Sequence, residues 1–448
     1  MPQAKRVATV VSRTPADPLV AALRDALRAR QEIAAWTLLS TRTRSHELYM
    51  AREEVDARRL VETESVRATL YTRQGSRMGS ARLRLGPGER ALVDARVDEA
   101  LHLAGTGGME PFTLPDRVSL PTLPLSDEVV RESPDETLDQ LRERLRSMTA
   151  GERNVRLAAA EFFLHEDSEQ FETSTGVLAD RSGTRTAAEI VLLGEGPDRS
   201  EGEVQDLRYR RRVEDFELEP WLRTLAKWAR DAATAESPPT WTGSVVLPGN
   251  VLHAFLQPVV EQASEAARYQ KGPSLEIGRP VGSGETRGEG LALATDATLP
   301  FGAASYVCDD DGVPGQAVSL IEGGILRRRW AERRFAEYAG TAATGAFGNL
   351  VVGPGSRYER DIRDEGNILE VMQFSWLTPN RTTGDFSSEV RFGYLSRGMA
   401  RVPVHGGLLS GNVFEALAAA AWSREQGRFG NSYVPLALRV DALVLSGK

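Results

Sequence analysis

At 448 residues, with 41% hydrophobic and 26% charged side chains, the chain has the make-up of a water-soluble globular protein with more than one core. Its 63 acidic against 55 basic residues leave a formal net charge of −8, which speaks against nucleic-acid binding through clustered Lys and Arg. No run reaches the roughly 18 apolar residues of a membrane span. Met1–Arg6 opens no apolar signal core, and the single Cys308 excludes an intrachain disulfide framework and fits a reducing cytoplasm.

In chain order, Leu19, Leu23 and Leu27 share one face of a helix over 18–30. Short β-prone segments follow at 36–44, 47–50, 66–73 and 80–85, then a helix over 87–104. Residues 105–125, with Pro111, Pro115, Pro121 and Pro124, read as a linker or extended strap. Ser133, Pro134 and Glu136 have the order of N-cap, first helical position and capping-box partner. Strands are expected at 158–164, 169–173 and 186–193, an exposed charged strand pair at 201–219, and a helix from Trp221 to about Ala235.

Glu236-Ser237-Pro238-Pro239-Thr240 is the best candidate for a domain boundary. It separates an N-terminal α+β domain of antiparallel sheet plus helices (1–235, with a possible sub-boundary near 105–130) from a strand-rich domain (241–448). The second domain opens with a strand at 245–247 and a helix over 249–269, kinked at Pro258. Short strands between glycines follow at 291–294, 317–321, 350–352, 368–374, 392–395 and 436–445, a pattern that suggests a closed or strongly curved, barrel-like sheet. Within it, Asp309–Gly315 forms a tight acidic turn, Gly323-Gly324 signals a hairpin, and Gly340 closes a helical turn over 330–338.

Few residues advertise chemistry. His46, His102, His165, His253 and His405 are isolated, and His165-Glu166 lacks a second histidine one turn on, whereas zinc needs three or four converging ligands. Asp309, Asp310 and Asp311 precede Gly312, but Pro314 stands where an EF-hand requires glycine. Three carboxylates beside Cys308 make it a poor nucleophile. No Gly-x-Ser-x-Gly elbow, Walker A sequence or dinucleotide fingerprint occurs. The densest polar cluster is Asn380, Thr383, Gly384, Asp385 and Ser387, able to hold extended peptide backbone by hydrogen bonds. The same residues also favour an ordinary Asx turn.

Asp311-Gly312-Val313-Pro314, Leu320–Gly324, Ala339-Gly340 to Thr344-Gly345, Asn349–Val352, Thr383–Ser387 and Gly411–Phe414, in that order, resemble the TldD/TldE (PmbA) family, on the TldE side. In that family TldD-type chains carry His-Glu-x-x-x-His on a zinc-binding helix. TldE-type chains lack it and pair with TldD as a peptidase for extended or unfolded peptides, including the leaders of ribosomally made antibiotics. The resemblance implies that residues 249–269, with His253 as their only histidine, stand in the place of the zinc helix. It further implies no catalytic residue, metal or cofactor on this chain, zinc on a TldD-like partner, and peptide contacts at Asn380, Thr383, Gly384, Asp385, Ser387, Asp311 and Gly312. Two other readings stay open: a stand-alone peptide-binding or regulatory protein, and a metal-independent amide hydrolase using Asp309–Asp311 or Asp385 with Ser387.

Overall fold

The computed structural model describes residues 17–283, 287–364, 366–398 and 400–447. The signal-core reading of Met1–Arg6 lies outside them. Asp17 caps the first helix, α1 (Pro18–Ala29), by accepting a 2.8 Å hydrogen bond from the Leu19 amide. There follow β1 (Ile33–Ala51), β2 (Glu54–Gln74), β3 (Arg77–Leu85), α2 (Val93–Thr106), α3 (Glu128–Glu132), α4 (Pro134–Gly151), β4 (Val155–Thr173), β5 (Leu178–Asp180), β6 (Gly183–Glu195), β7 (Glu201–Arg210) and α5 (Leu218–Ala232). The strands form one antiparallel sheet, order β3-β2-β1-β4-β6-β7 with β5 against β4, curled as a half-barrel.

Alternation along the strands decides which face the helices cover. Trp36, Leu38, Ala68, Leu70, Leu83 and Leu85 bury with residues of α1 and α2. Leu48, Met50, Phe162, Leu164, Ile190 and Leu192 bury with residues of α4 and α5. Residues 41, 43, 45 and 47 fall on the opposite, polar face, where Thr43 donates to Asp167 and Ser45 to Glu47.

Several local expectations are corrected. β1 is one strand rather than two, because the polar residues 40–47 stay paired with β2 on one side and β4 on the other. β4 likewise runs unbroken through Leu164–Glu169. Residues 201–219 hold one strand and the start of α5, not a strand pair. Ser133 precedes α4 without a side-chain cap, since it also ends α3, its amide donating to Val129 O at 3.1 Å.

The second half contains β8 (Trp241–Pro248), α6 (Leu252–Phe255), α7 (Gln257–Gln262), α8 (Glu265–Tyr269), β9 (Leu293–Asp296), β10 (Ala317–Glu322), β11 (Ile325–Leu326), α9 (Arg333–Ala339), β12 (Asn349–Val352), α10 (Glu359–Asp364) and β13 (Ile368–Phe374). It ends with β14 (Asp385–Arg397), β15 (Ala400–Val404), β16 (Leu408–Asn412), α11 (Val413–Leu417), β17 (Ala421–Trp422), β18 (Gln426–Phe429), β19 (Ser432–Pro435) and β20 (Ala437–Ser446). Strands β13-β8-β20-β16-β14 close on themselves through β14–β13 pairing, a five-stranded barrel. A second sheet, β11-β10-β9-β12-β19-β18, shares its core: Leu247, Phe255, Val259, Leu320, Leu350, Val371, Leu409 and Leu438 bury in one cluster. The protein is therefore α+β, half-barrel with helices followed by barrel. Gly323 and Gly324, at φ 57° and 78°, make the β10–β11 hairpin turn.

The expected helix over 249–269 is a 3-10 turn followed by α6, α7 and α8. Pro258 lacks an amide hydrogen, so the chain restarts near it rather than bending through. A second break comes at Ser264, which pairs with Trp330 in an isolated bridge and caps α8 through the Ala267 amide.

Candidate functional site

The acidic turn is built around a carboxylate inside it. Asp309 is 7% exposed; its Oδ1 accepts from the amides of Asp311 (3.0 Å) and Val313 (2.9 Å), and its Oδ2 from Ala346 (3.1 Å). Burial outweighs those three donors and pushes its pKa up to about 6. Asp311 is raised to about 7, by burial first and then by the charges of Asp309, Glu332 and Asp310, with Arg334 opposing. Gly312 sits at φ +93°, and a Cβ there would stand 3.3 Å from Thr173 and 3.4 Å from Val177, so the turn tip lies against the end of β4.

Asp310 faces the half-barrel. It accepts from Arg67 Nη2 of β2 at 2.7 Å and from Arg181 Nη1 at 2.9 Å. Burial works against its charge, but Arg181 and Arg67 hold it below the usual carboxylate range. Cys308 is fully buried, and burial, then Asp309 and Asp310, lift its thiol to about 12 against the pull of Arg181. It is inert as a nucleophile at neutral pH.

The second cluster is an exposed loop that spends most of its polar groups on itself. Asn380 Oδ1 accepts from the amides of Thr382 (2.8 Å) and Thr383 (3.1 Å), and the Gly384 amide donates to Asn380 O at 2.8 Å. Asn412 Nδ2 donates to Thr383 O and to Asp385 Oδ1, both at 2.8 Å, while its Oδ1 caps α11. Asn412, then Thr383, keep the Asp385 carboxyl below its ordinary value. Gly384, at φ +81°, leaves room that a Cβ would lose, 2.6 Å from the Phe414 ring. Ser387, one pleat along β14, accepts from Ser410 Oγ at 2.9 Å; that neighbour is a hydroxyl, not a base. Gln262 of α7 donates to Arg381 O and Thr382 O, anchoring the loop on the helical segment.

Among the described residues no hydrogen bond or ion pair joins this loop to the acidic turn. Sequence reasoning named Asp311 and Gly312 in the turn but not the role of Asp309 as its centre. It also missed Arg67, Arg181 and Gln262, and held Asn412 only as part of the Gly411–Phe414 stretch, without a role at the loop. An asparagine just ahead of Val413-Phe414 is an N-cap signal that could have marked Asn412. The arginines lie far away in sequence and carry no such signal.

Residues 249–269 do not fit a zinc ion. His253 is half-buried, its Nδ1 within 3.1 Å of Ser432 Oγ, and burial lowers its pKa. One helical turn on stands Gln257, which donates to Glu261 at 3.1 Å. Among the described residues no group of three or more His, Cys, Asp and Glu converges as a ligand set.

Half-barrel and closed barrel, joined through a buried acidic turn, define a class of two-part α+β proteins with a strand-rich C-terminal unit. Residues 240–447 match the family model described as the PmbA/TldA metallopeptidase C-terminal domain. The structure superimposes on TldE from Thermococcus kodakarensis with a TM-score of 0.80 at 17% identity, covering 95% of this chain and 100% of that one. An uncharacterized protein of Methanocaldococcus jannaschii is 24% identical over 55% of this chain and 59% of its own length. The metalloprotease PmbA of Escherichia coli O157:H7 is 22% identical over 63% of each. The chain thus spans less than two thirds of these two relatives. The TldD/TldE (PmbA) resemblance is supported over residues 240–447 by the C-terminal domain of that family, and over the rest of the chain by the fold.

Proposed function

We propose that this chain is a zinc-free, TldE-type subunit that pairs with a TldD-like zinc peptidase and helps hold extended or modified peptides for cleavage. Leader peptides of ribosomally made natural products are one such substrate class. Water activation belongs to the partner's zinc. The observation that carries this is the donor chemistry of residues 249–269: one histidine, occupied with Ser432, and, counted from it at the spacing of His-Glu-x-x-x-His, Ala254 in the place of the glutamate and Pro258 in the place of the second histidine.

Peptide contacts are assigned to Asp311, Gly312, Asn380, Thr383, Gly384, Asp385 and Ser387. The exposed backbone and carboxylate of the 380–387 loop are the accessible part of that set. The working division is residues 1–235 and 241–448 as two domains, with a sub-boundary near 105–130, acting in the cytoplasm. No helix among the described residues is long and apolar enough to cross a membrane.

The test is hydrolysis of an unfolded peptide by this chain, by the His-Glu-x-x-x-His protein of the same genome, and by their mixture. Turnover that needs both chains and stops with chelator is expected. Turnover by this chain alone in excess chelator would instead support the amide-hydrolase reading.

A further inference from the structure

Next to the end strand β3 of the half-barrel, β2 is covered on its outer side for only part of its length. β2 bonds to β1 from Glu54 to Thr72, but β3 covers its outer side only from Val66 onward, where Val66 faces Leu85. Burial changes at the same place: residues 54–64 are exposed except for Ala57, and Val66, Ala68 and Leu70 are buried. Among the described residues no strand lies along the outer side of 54–65.

The sheet's two end strands are each touched from outside by another part of the chain. On β7, Gln205 O accepts from Gln373 Nε2 at 2.7 Å, and Arg210 reaches Arg428 O at 2.9 Å. On β3, Met78 exchanges two backbone hydrogen bonds with Met109. A long, proline-free edge that carries exposed Val55 (40%), Leu60 (54%) and Val61 (39%) is a template for strand addition.

We infer that residues 57–65 pair antiparallel with the same residues of a second copy of this chain, with Val61 on the two-fold axis. Side chains alternate between faces, so the helix-covered faces of the two sheets stay on one side only if the axis passes through a residue. With Val61 on the axis, Leu60 stands opposite Glu62, Arg59 opposite Thr63 and Arg58 opposite Glu64, each twice, and no like charges meet. Axes through Arg58, Arg59, Glu62 or Thr63 put like charges face to face, and one through Leu60 sets Asp56 against Glu64. An axis through Ala57 avoids that clash but pairs only 54–60, next to the irregular register at Tyr49/Met50. Arg58 and Glu64 are already oriented within each copy, by Asp139 and Arg42 respectively.

The test below uses this chain without a zinc peptidase, so its outcome is read separately from that of the proposed function. Sedimentation of the full chain tests the contact, using V61K and V61D, which are surface substitutions and leave the melting curve in place. Wild type is expected to sediment as a dimer and each variant as a monomer, while an equal mixture of V61K and V61D recovers the dimer. A monomeric wild type, a dimer that V61K leaves intact, or a mixture that stays monomeric overturns the proposal.

Discussion

The two polar stretches of the C-terminal half contrast in almost every physical respect. In the Asp309–Val313 turn, carboxylates are driven inward until burial raises two of them, and among the described residues it is Asp310 that forms ion pairs, with arginines on the other half of the molecule. In the 380–387 loop the carboxylate stays in water, held low by an amide and a hydroxyl. The difference teaches that density of polar letters says little about role. The turn is a joint between the two halves of the chain, and the loop is an exposed surface, the part of the molecule proposed above to meet a peptide.

Replacing Asp309 with Ala gives the largest expected effect. Three backbone amides lose their acceptor in a buried place, a cost of roughly 2–4 kcal/mol. Urea unfolding measures it, and a change under about 0.5 kcal/mol would remove Asp309 from the centre of the joint. Gly384→Ala comes next, at roughly 1–3 kcal/mol, because the left-handed backbone and the Phe414 ring both resist a Cβ. An unchanged midpoint there would mean that the loop relaxes freely.

The pH dependence separates the two regions by sign. Asp309 and Asp311 have folded pKa values raised to about 6 and about 7, so their contribution to stability is fully present below the ordinary carboxylate pKa. It is lost as pH rises through 6 to 7. Asp310, held low, contributes in the opposite sense, and its share disappears only at more acidic pH. Melting temperature is therefore expected to fall between pH 5 and pH 8. Asp311→Asn should flatten that slope, recovering roughly 1–3 kcal/mol at pH 8 at about 1.4 kcal/mol per pKa unit. A variant with the wild-type slope would place the titration elsewhere. The smallest structural effect is expected for Asp385→Ala, which leaves the melting curve where it is. Cleavage by the two-chain enzyme should nevertheless drop, whereas an undiminished rate would take the loop out of peptide binding.

Much of the fold was legible, for reasons visible in single residues. Gly323-Gly324 and Gly340 mark turns that need positive φ, and both appear where glycine demanded them. The barrel-like C-terminal half followed from short apolar runs between glycines. What could not be read was continuity. Thr41, Thr43, Ser45 and Glu47 interrupt the apolar pattern of β1, yet the strand persists because its neighbours supply hydrogen bonds on both sides and polar side chains on that face bond to one another. Nor could three consecutive aspartates reveal which one turns inward, since Asp309, Asp310 and Asp311 differ only in what tertiary structure places around them.

The central claim is that this chain contributes no zinc ligands of its own. Elemental analysis of the separately purified chain, after exposure to zinc and exhaustive dialysis, tests it most directly. The account predicts no bound zinc on this chain alone and about one per heterodimer once the His-Glu-x-x-x-His partner is added. One zinc held by this chain in isolation, and lost on His253→Ala, would contradict it.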